Sequence, residues 1–257
     1  MRPQPNKPIV SRGKVLGGPL PLVCVPLVGK SREEILKEAG NIPSIGPDII
    51  ELRVDAWEFV EDTAASLSMI KDVRAAAGEI PIILTCRGHW EGGFKKVSDG
   101  AKFALYREAA GVVDFLDVEL AYGEQKTREV LKFIEGTGAS LIVSSHDFEK
   151  TPPMEVIFST LAAQVRAGAH VAKLAAMPRC EEDVLALLSA TLAARRQYPD
   201  IPIITMSMGG LGAVTRLTGG LFGSDLTFAV GSKASAPGQI PAAELKSCLA
   251  VIHPGGN

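Results

Sequence analysis

Aromatic residues make up only 5% of the chain, no block of like charge occurs, and the net charge is -2. A nucleic-acid binder needs a cationic patch and flat side chains on which bases stack, so this composition argues against one. No apolar run reaches the roughly 20 residues that cross a bilayer. The first 20 residues are rich in proline, glycine and base, and no apolar leader core follows them, so a soluble, unexported protein is expected. The four cysteines, Cys24, Cys86, Cys180 and Cys248, show no CxxC spacing. They read as reduced, buried small hydrophobes of a cytoplasmic protein, and no cluster has metal-ligand spacing. A glycine-rich phosphate turn is also missing. The segment after the first strand, VPLVGKS, holds a single glycine, which weighs against an open nucleotide-binding sheet.

What the chain does have is length and apolar content. With 257 residues, 46% of them hydrophobic, it can bury a large core, as two small domains or as one α/β barrel. Short β-branched runs at 22–28, 48–54, 81–87, 114–120, 140–146, 170–175, 202–207 and 226–231 predict strands. Helical spacing lies between them at 31–39, 63–77, 99–111, 124–136, 154–167 and 181–198. Ser31 with Glu34 has capping-box spacing, and Pro241 stands where a last helix, to about residue 252, begins. Eight strands, each followed by a helical or connecting segment, predict a (β/α)8 TIM barrel spanning 1–257 as one domain. Residues 9–18, IVSRGKVLGG, predict a β-hairpin covering the N-terminal mouth of the barrel.

Active sites of such barrels lie at the C-terminal ends of the strands, and the polar residues collect there. Period-2 alternation puts Glu51 and Arg53 on one face of the second strand, and Asp117 and Glu119 on one face of the fourth. The third strand ends in Arg87, with His89 and Glu91 in its loop, and the fifth ends in SSHDF with His146. The seventh leads into SMGGLGAVTR with Arg216, and the eighth into SKASAPGQI with Ser235 and Gln239. Lys173 stands alone in the apolar sixth strand, HVAKLAAMP. A desolvated lysine suits imine chemistry, because burial disfavours the ammonium and frees the amine for attack on a carbonyl. An imine acidifies the neighbouring carbon, and His146 is suited to take that proton, with Glu91 as the carboxylate that orients the ring. Taken singly, each residue has an ordinary structural account: Glu51 and Arg53 as an ion pair, His146 as a core histidine, Lys173 as a strand-end side chain reaching water. The arginines together suit a substrate bearing a carboxylate and several hydroxyls.

The chain resembles the type I 3-dehydroquinate dehydratases from about residue 23 to 240, with GPDIIELRVD, ILTCRGHWEGG, DFLDVEL, SSHDF, VAKLAAMP, SMGGLGAVTRLTGGLFGSDLTF and SKASAPGQI in order. The resemblance implies a barrel that dehydrates 3-dehydroquinate to 3-dehydroshikimate by syn elimination, without metal or organic cofactor, commonly as a homodimer. It implies that Lys173 forms the imine, that His146 moves the protons and that Glu91 orients His146. It places Arg216, Gln239 and Ser235 on the substrate carboxylate, Glu51, Arg53 and Arg87 on the ring hydroxyls, and Met208 against the ring. The loop bearing Ser235 and Gln239 is expected to act as a lid.

Three positions depart from the common family pattern: Gly88-His89-Trp90 before Glu91, Thr215 before Arg216, and a Gly209-Gly210 loop without lysine. His89 is expected to be a solvated loop residue. A class I aldolase would use the same lysine, but the SSHDF base and SAPGQ lid favour dehydration. A non-catalytic barrel would be expected to lack Lys173, His146 or Glu91, and all three are present.

Overall fold

The computed structural model describes residues 2–231 and 234–253, so Ser232 and Lys233 of the SKASAPGQI segment lie outside the described residues. A hairpin of β1 (Ile9–Ser11) and β2 (Lys14–Leu16) precedes the barrel strands. These are β3 (Leu22–Leu27), β4 (Ile49–Arg53), β5 (Ile82–Thr85), β6 (Phe115–Glu119), β7 (Ser140–Asp147), β8 (Val171–Ala176), β9 (Ile203–Ser207) and β10 (Leu226–Val230). A two-residue β11 (Ile240–Pro241) adds a parallel edge to β10. Barrel neighbours pair in parallel from β10 through β3 to β9, and an isolated bridge from Ile203 to Ser224 draws the two ends together. The expected (β/α)8 barrel is thus the observed architecture.

The helices are α1 (Arg32–Gly40), α2 (Ile42–Ile45), α3 (Thr63–Ala77), α4 (Asp99–Ala109), α5 (Gly123–Ile134), α6 (Met154–Arg166), α7 (Glu181–Gln197), α8 (Ala213–Thr218) and α9 (Ala242–Ile252). Ser31 caps α1 by accepting the Glu34 N–H at 3.2 Å, and Glu34 accepts the Lys30 N–H at 2.7 Å. The helices wrap an outer apolar layer in which Ile50, Leu52, Leu84, Leu116 and Val143 face Ile35, Met69, Leu105 and Val130. Inside the barrel a second layer of Cys24, Ile49, Ile83, Phe115, Ile142 and Val171 fills the lower half. No described helix is long and apolar enough to cross a membrane.

The hairpin closes the bottom of the barrel. Leu16 is buried within the interior layer, and Ser11 and Arg12 donate to Asp114 at 3.1 and 2.8 Å. Arg12 and Gly13 both take positive φ, 44° and 75°, as a two-residue hairpin turn that matches strand twist requires. Two sequence expectations need correction here. Only Cys24 and Cys86 are buried; Cys180 is half-buried and Cys248 lies on the exposed face of α9. The segment after β9, to which a Gly209-Gly210 loop and no helix had been assigned, continues into the short α8, a six-residue run too brief to show helical spacing.

Candidate active site

Because parallel strands present alternate residues inward, the upper barrel interior collects Glu51 and Arg53 from β4, Asp117 and Glu119 from β6, Ser144 and His146 from β7, and Lys173 from β8. Of these, Glu51, Arg53, His146 and Lys173 border a cleft of about 460 Å³, with Asp117, Glu119 and Ser144 behind them, and every residue singled out for a role from the sequence borders it. Phe148, Met206 and Phe228, given no role from the sequence, supply apolar wall. His89 does not border the cleft; it is exposed, its ring edge against Trp90 at 5.3 Å between centroids.

Lys173 is 3% exposed, but it does not stand alone as its strand suggested. Its Nζ lies 2.8 Å from Asp117 Oδ2 and 3.4 Å from Glu51 Oε1, and 4.8 Å from the centre of the Phe228 ring. A buried cation is tolerated because carboxylates from two other strands face it. Asp117 is itself shared: Arg87 Nη2 lies at 2.9 Å and Ser144 Oγ donates at 2.5 Å. Burial alone would push the Asp117 carboxyl up. The Arg87 and Lys173 cations outweigh it and hold that carboxyl well below the usual range. Arg87 also donates to Glu119 at 2.8 Å and to Ser144 at 2.8 Å, so its fork is spent on the barrel wall. Arg53 does not pair with Glu51 on its own strand face. Its guanidinium grips Asp55, at 3.0 and 2.9 Å, and stacks over the Phe94 ring at 4.7 Å.

His146 is held by Glu91. One carboxylate oxygen, Oε2, accepts the His146 backbone N–H at 2.9 Å and lies 3.0 Å from the ring Nδ1. With a proton on Nδ1 donated to Glu91, Nε2 is the ring nitrogen left for proton transfer. Glu91 reaches this place because its loop turns tightly. Gly92 takes φ 82°, and a Cβ there would stand 2.3 Å from the Phe148 ring; one on Gly93 would meet the Arg87 carbonyl at 2.2 Å. Burial lowers the His146 pKa well below its ordinary value, with Arg87 and Lys173 adding to the effect, so the ring is a neutral base at neutral pH. Burial raises the Glu91 carboxyl to about 7, Arg87 opposing and Glu119 adding.

A stability difference follows for Glu91→Gln. A carboxyl raised in the folded state from its ordinary 4.5 to about 7 adds stability that is complete below pH 4.5 and is lost as pH rises through about 7. The variant lacks that term. Between pH 5 and 8 its thermal stability falls less than the parent's, by at most about 3 kcal/mol, in melting curves at stepped pH. A parallel loss in both proteins would contradict the assignment.

Arg216, from α8, is buried and donates to the carbonyls of Phe228 at 3.1 Å and Pro237 at 3.0 Å. Its buried Nε has no hydrogen-bond partner, and no described carboxylate pairs with it. Burial pulls its pKa down to about 10, which leaves the group a cation at neutral pH. An anionic ligand is what such a fork lacks. Ser235 and Gln239 face the same side and bond each other: the Ser235 N–H donates to Gln239 Oε1 at 2.9 Å, and Gln239 Nε2 donates to Ser235 Oγ at 3.1 Å. The Gly209 N–H donates to Pro237 O at 3.2 Å, seating this segment on the β9–α8 turn.

The polar site residues left without a role by sequence reasoning are Asp117, Glu119, Ser144 and Asp55. Alternation in DFLDVEL had placed Asp117 on the inner face, but not against a particular partner. Asp55 follows its strand by two residues and carries no periodic signal, yet it accepts Arg53, the Arg87 N–H at 3.1 Å and the Phe94 N–H at 2.9 Å.

A family model described as Type I 3-dehydroquinase matches residues 23–255. The chain is 42% identical over 247 residues to a 3-dehydroquinate dehydratase of Bacillus velezensis, covering 95% of this chain and 98% of that protein. Among solved structures, the 3-dehydroquinate dehydratase of Geobacillus kaustophilus superposes with a TM-score of 0.93 at 40% identity, covering all of both chains. A type I enzyme from Clostridium difficile, solved with covalently modified comenic acid, gives 0.92 at 40% identity, covering 98% of this chain and 99% of that one.

Proposed function

The chain belongs to the type I 3-dehydroquinases, and from that premise we propose how its own residues carry out the family's reaction. It is a hydro-lyase that converts 3-dehydroquinate to 3-dehydroshikimate in the shikimate pathway through a Schiff base. The Lys173 ammonium first passes a proton to His146; the free amine adds to the C3 carbonyl, and the carbinolamine hydroxyl leaves as water with that proton, giving a protonated imine. His146 Nε2 takes a C2 proton, and the electrons pass into the iminium. The enamine then expels the C1 hydroxyl, which leaves as water with the proton His146 returns. Water hydrolyses the imine and frees the lysine, so the net change is one water lost from the substrate.

The surroundings suit this sequence of charges. The iminium keeps positive charge where the ammonium stood, beside Asp117 and Glu51, so the cleft requires no reorganisation as charge shifts. Glu91 holds His146 with its ring aimed, and Arg216 with Ser235 and Gln239 receives the substrate carboxylate. Glu51, Arg53 and Arg87 border the part of the cleft that would take the ring hydroxyls, and Met208 the wall on which the ring would pack. The observation that carries the assignment is the convergence on one cleft of a buried amine, a carboxylate-held imidazole and an arginine fork without an anion. Homodimer formation, a cytoplasmic location and a single domain over 1–257 belong to the same proposal. The extent is supported by coverage of all of the Geobacillus kaustophilus chain.

The direct test is growth of conjugated enone absorbance when purified protein meets 3-dehydroquinate, compared between the parent and Arg216→Ala. The parent turns over, and the variant's KM rises roughly 10- to 100-fold, as loss of charge-assisted hydrogen bonds requires. An unchanged KM would remove Arg216 from the carboxylate site, and no enone from the parent would remove the activity.

A further inference from the structure

Lys102 is a lysine on an outer helix, α4, and does not border the active-site cleft. A side chain there would ordinarily reach water, yet this one is 2% exposed. Its Nζ lies 2.5 Å from Glu119 Oε2 and stands over the rings of Tyr122, Tyr106 and Phe103 at 4.4, 5.6 and 5.7 Å. The other oxygen of Glu119 accepts Arg87 Nη1 at 2.8 Å and the Gly88 N–H at 2.9 Å. Through Arg87 the contacts continue to Asp117 and then to Lys173, so signs alternate along one buried line: Lys102, Glu119, Arg87, Asp117, Lys173, Glu51. Through Gly88 they continue to Glu91, whose N–H donates to the Gly88 carbonyl at 2.9 Å.

We propose that Lys102 is a positioning residue for the dehydration, acting through Glu119 on both halves of the site: Arg87 behind the imine-forming lysine, and the turn that aims Glu91 at His146. Resting on the reading of the cleft given above, this assigns Lys102 a task that no contact with substrate reveals. With Lys102 present, Glu119 divides its two oxygens between the helix and the cleft. Without it, one oxygen is buried unpaired, and the carboxylate draws on Arg87 and Gly88, the only other donors bonded to it among the described residues. One of the tyrosines that wall in the ammonium is tied to the same place. Tyr106 Oη accepts the Cys86 N–H and donates to the Asp117 carbonyl, each at 2.8 Å.

The test compares Lys102→Met, Lys102→Arg, Glu119→Gln and Lys102→Met/Glu119→Gln, with kcat expressed per site labelled by substrate and borohydride, so that misfolded protein does not count. In Lys102→Met, kcat per labelled site falls at least ~10-fold while KM changes less than ~3-fold. The acid limb of the kcat/KM profile also moves to higher pH. Glu91 faces Arg87 from the end of β5, Asp117 and Glu119 from β6 and His146 from β7, and an uncompensated Glu119 raises it further. Lys102→Arg restores both quantities, because the guanidinium keeps a cation and a donor facing Glu119. In the Glu119→Gln background, loss of Lys102 costs nothing more, and the limb moves to lower pH. A Lys102→Met enzyme with parental kcat per site and parental limb overturns the proposal whatever its melting temperature. Should that variant not fold, a further loss on adding it to Glu119→Gln overturns it equally. Failure of the parent itself to turn over or label would instead sink the assignment of the reaction.

Discussion

Lys173→Ala lowers kcat by at least ~10⁴-fold, the scale seen when a covalent nucleophile is removed and only binding and electrostatics remain. Among the described residues, no other lysine borders the cleft. Lys102, the other lysine on the buried charged line, lies behind Glu119 on the far side of the barrel wall. The substitution also has a structural cost, which the measurement must separate from the chemistry. Asp117 keeps Arg87 and Ser144, and Glu51 keeps the Thr85 hydroxyl at 2.9 Å, but both face the space the ammonium filled. Breaking a buried pair in this way costs on the order of 3–5 kcal/mol. Substrate binding monitored by calorimetry at a temperature where the variant is folded distinguishes the two effects. Retained affinity with lost turnover is the expected result, and normal turnover would eliminate the imine route.

His146→Ala separates the steps that Lys173→Ala removes together. The amine and its carboxylates remain, so the imine still forms, though more slowly, while proton removal from C2 loses its base. Turnover falls by roughly 10²- to 10⁴-fold, the usual contribution of a placed general base. Mass spectrometry of enzyme mixed with substrate and reduced with borohydride shows labelled protein accumulating while free product does not. The low pKa of His146 sharpens the prediction. Burial, Arg87 and Lys173 keep the ring neutral below its ordinary titration range, so loss of activity on the acid side reports protonation of Glu91 rather than of the ring. An unaffected rate in the variant would mean that another group takes the C2 proton.

The barrel was legible because parallel strands buried on both faces leave short apolar runs, and eight of these alternate with helical spacing. The site was legible for a related reason: alternation along ELR, DVE and SSH sends particular polar residues into a core, where they need a purpose. Pairing was not legible, because it depends on which strands face one another across the barrel. Lys173 meets Asp117 from 56 positions away and Glu51 from 122 away. Arg53 turns from Glu51 to Asp55 because the chain enters a single 3-10 turn, Val54–Ala56, directly after β4. Lys102 left no trace at all, since a lysine on a helix ordinarily marks the solvated face, and only the depth of Glu119 behind α4 draws it inward.

Borohydride trapping shows whether Lys173 bonds covalently to substrate carbon. Purified protein is incubated with 3-dehydroquinate, reduced, digested and mapped by peptide mass spectrometry, beside an unreduced control. A reduced adduct is expected on the peptide containing Lys173 and on no other, with 3-dehydroshikimate released in the control. Product in the control with no adduct on Lys173 would contradict that covalent bond.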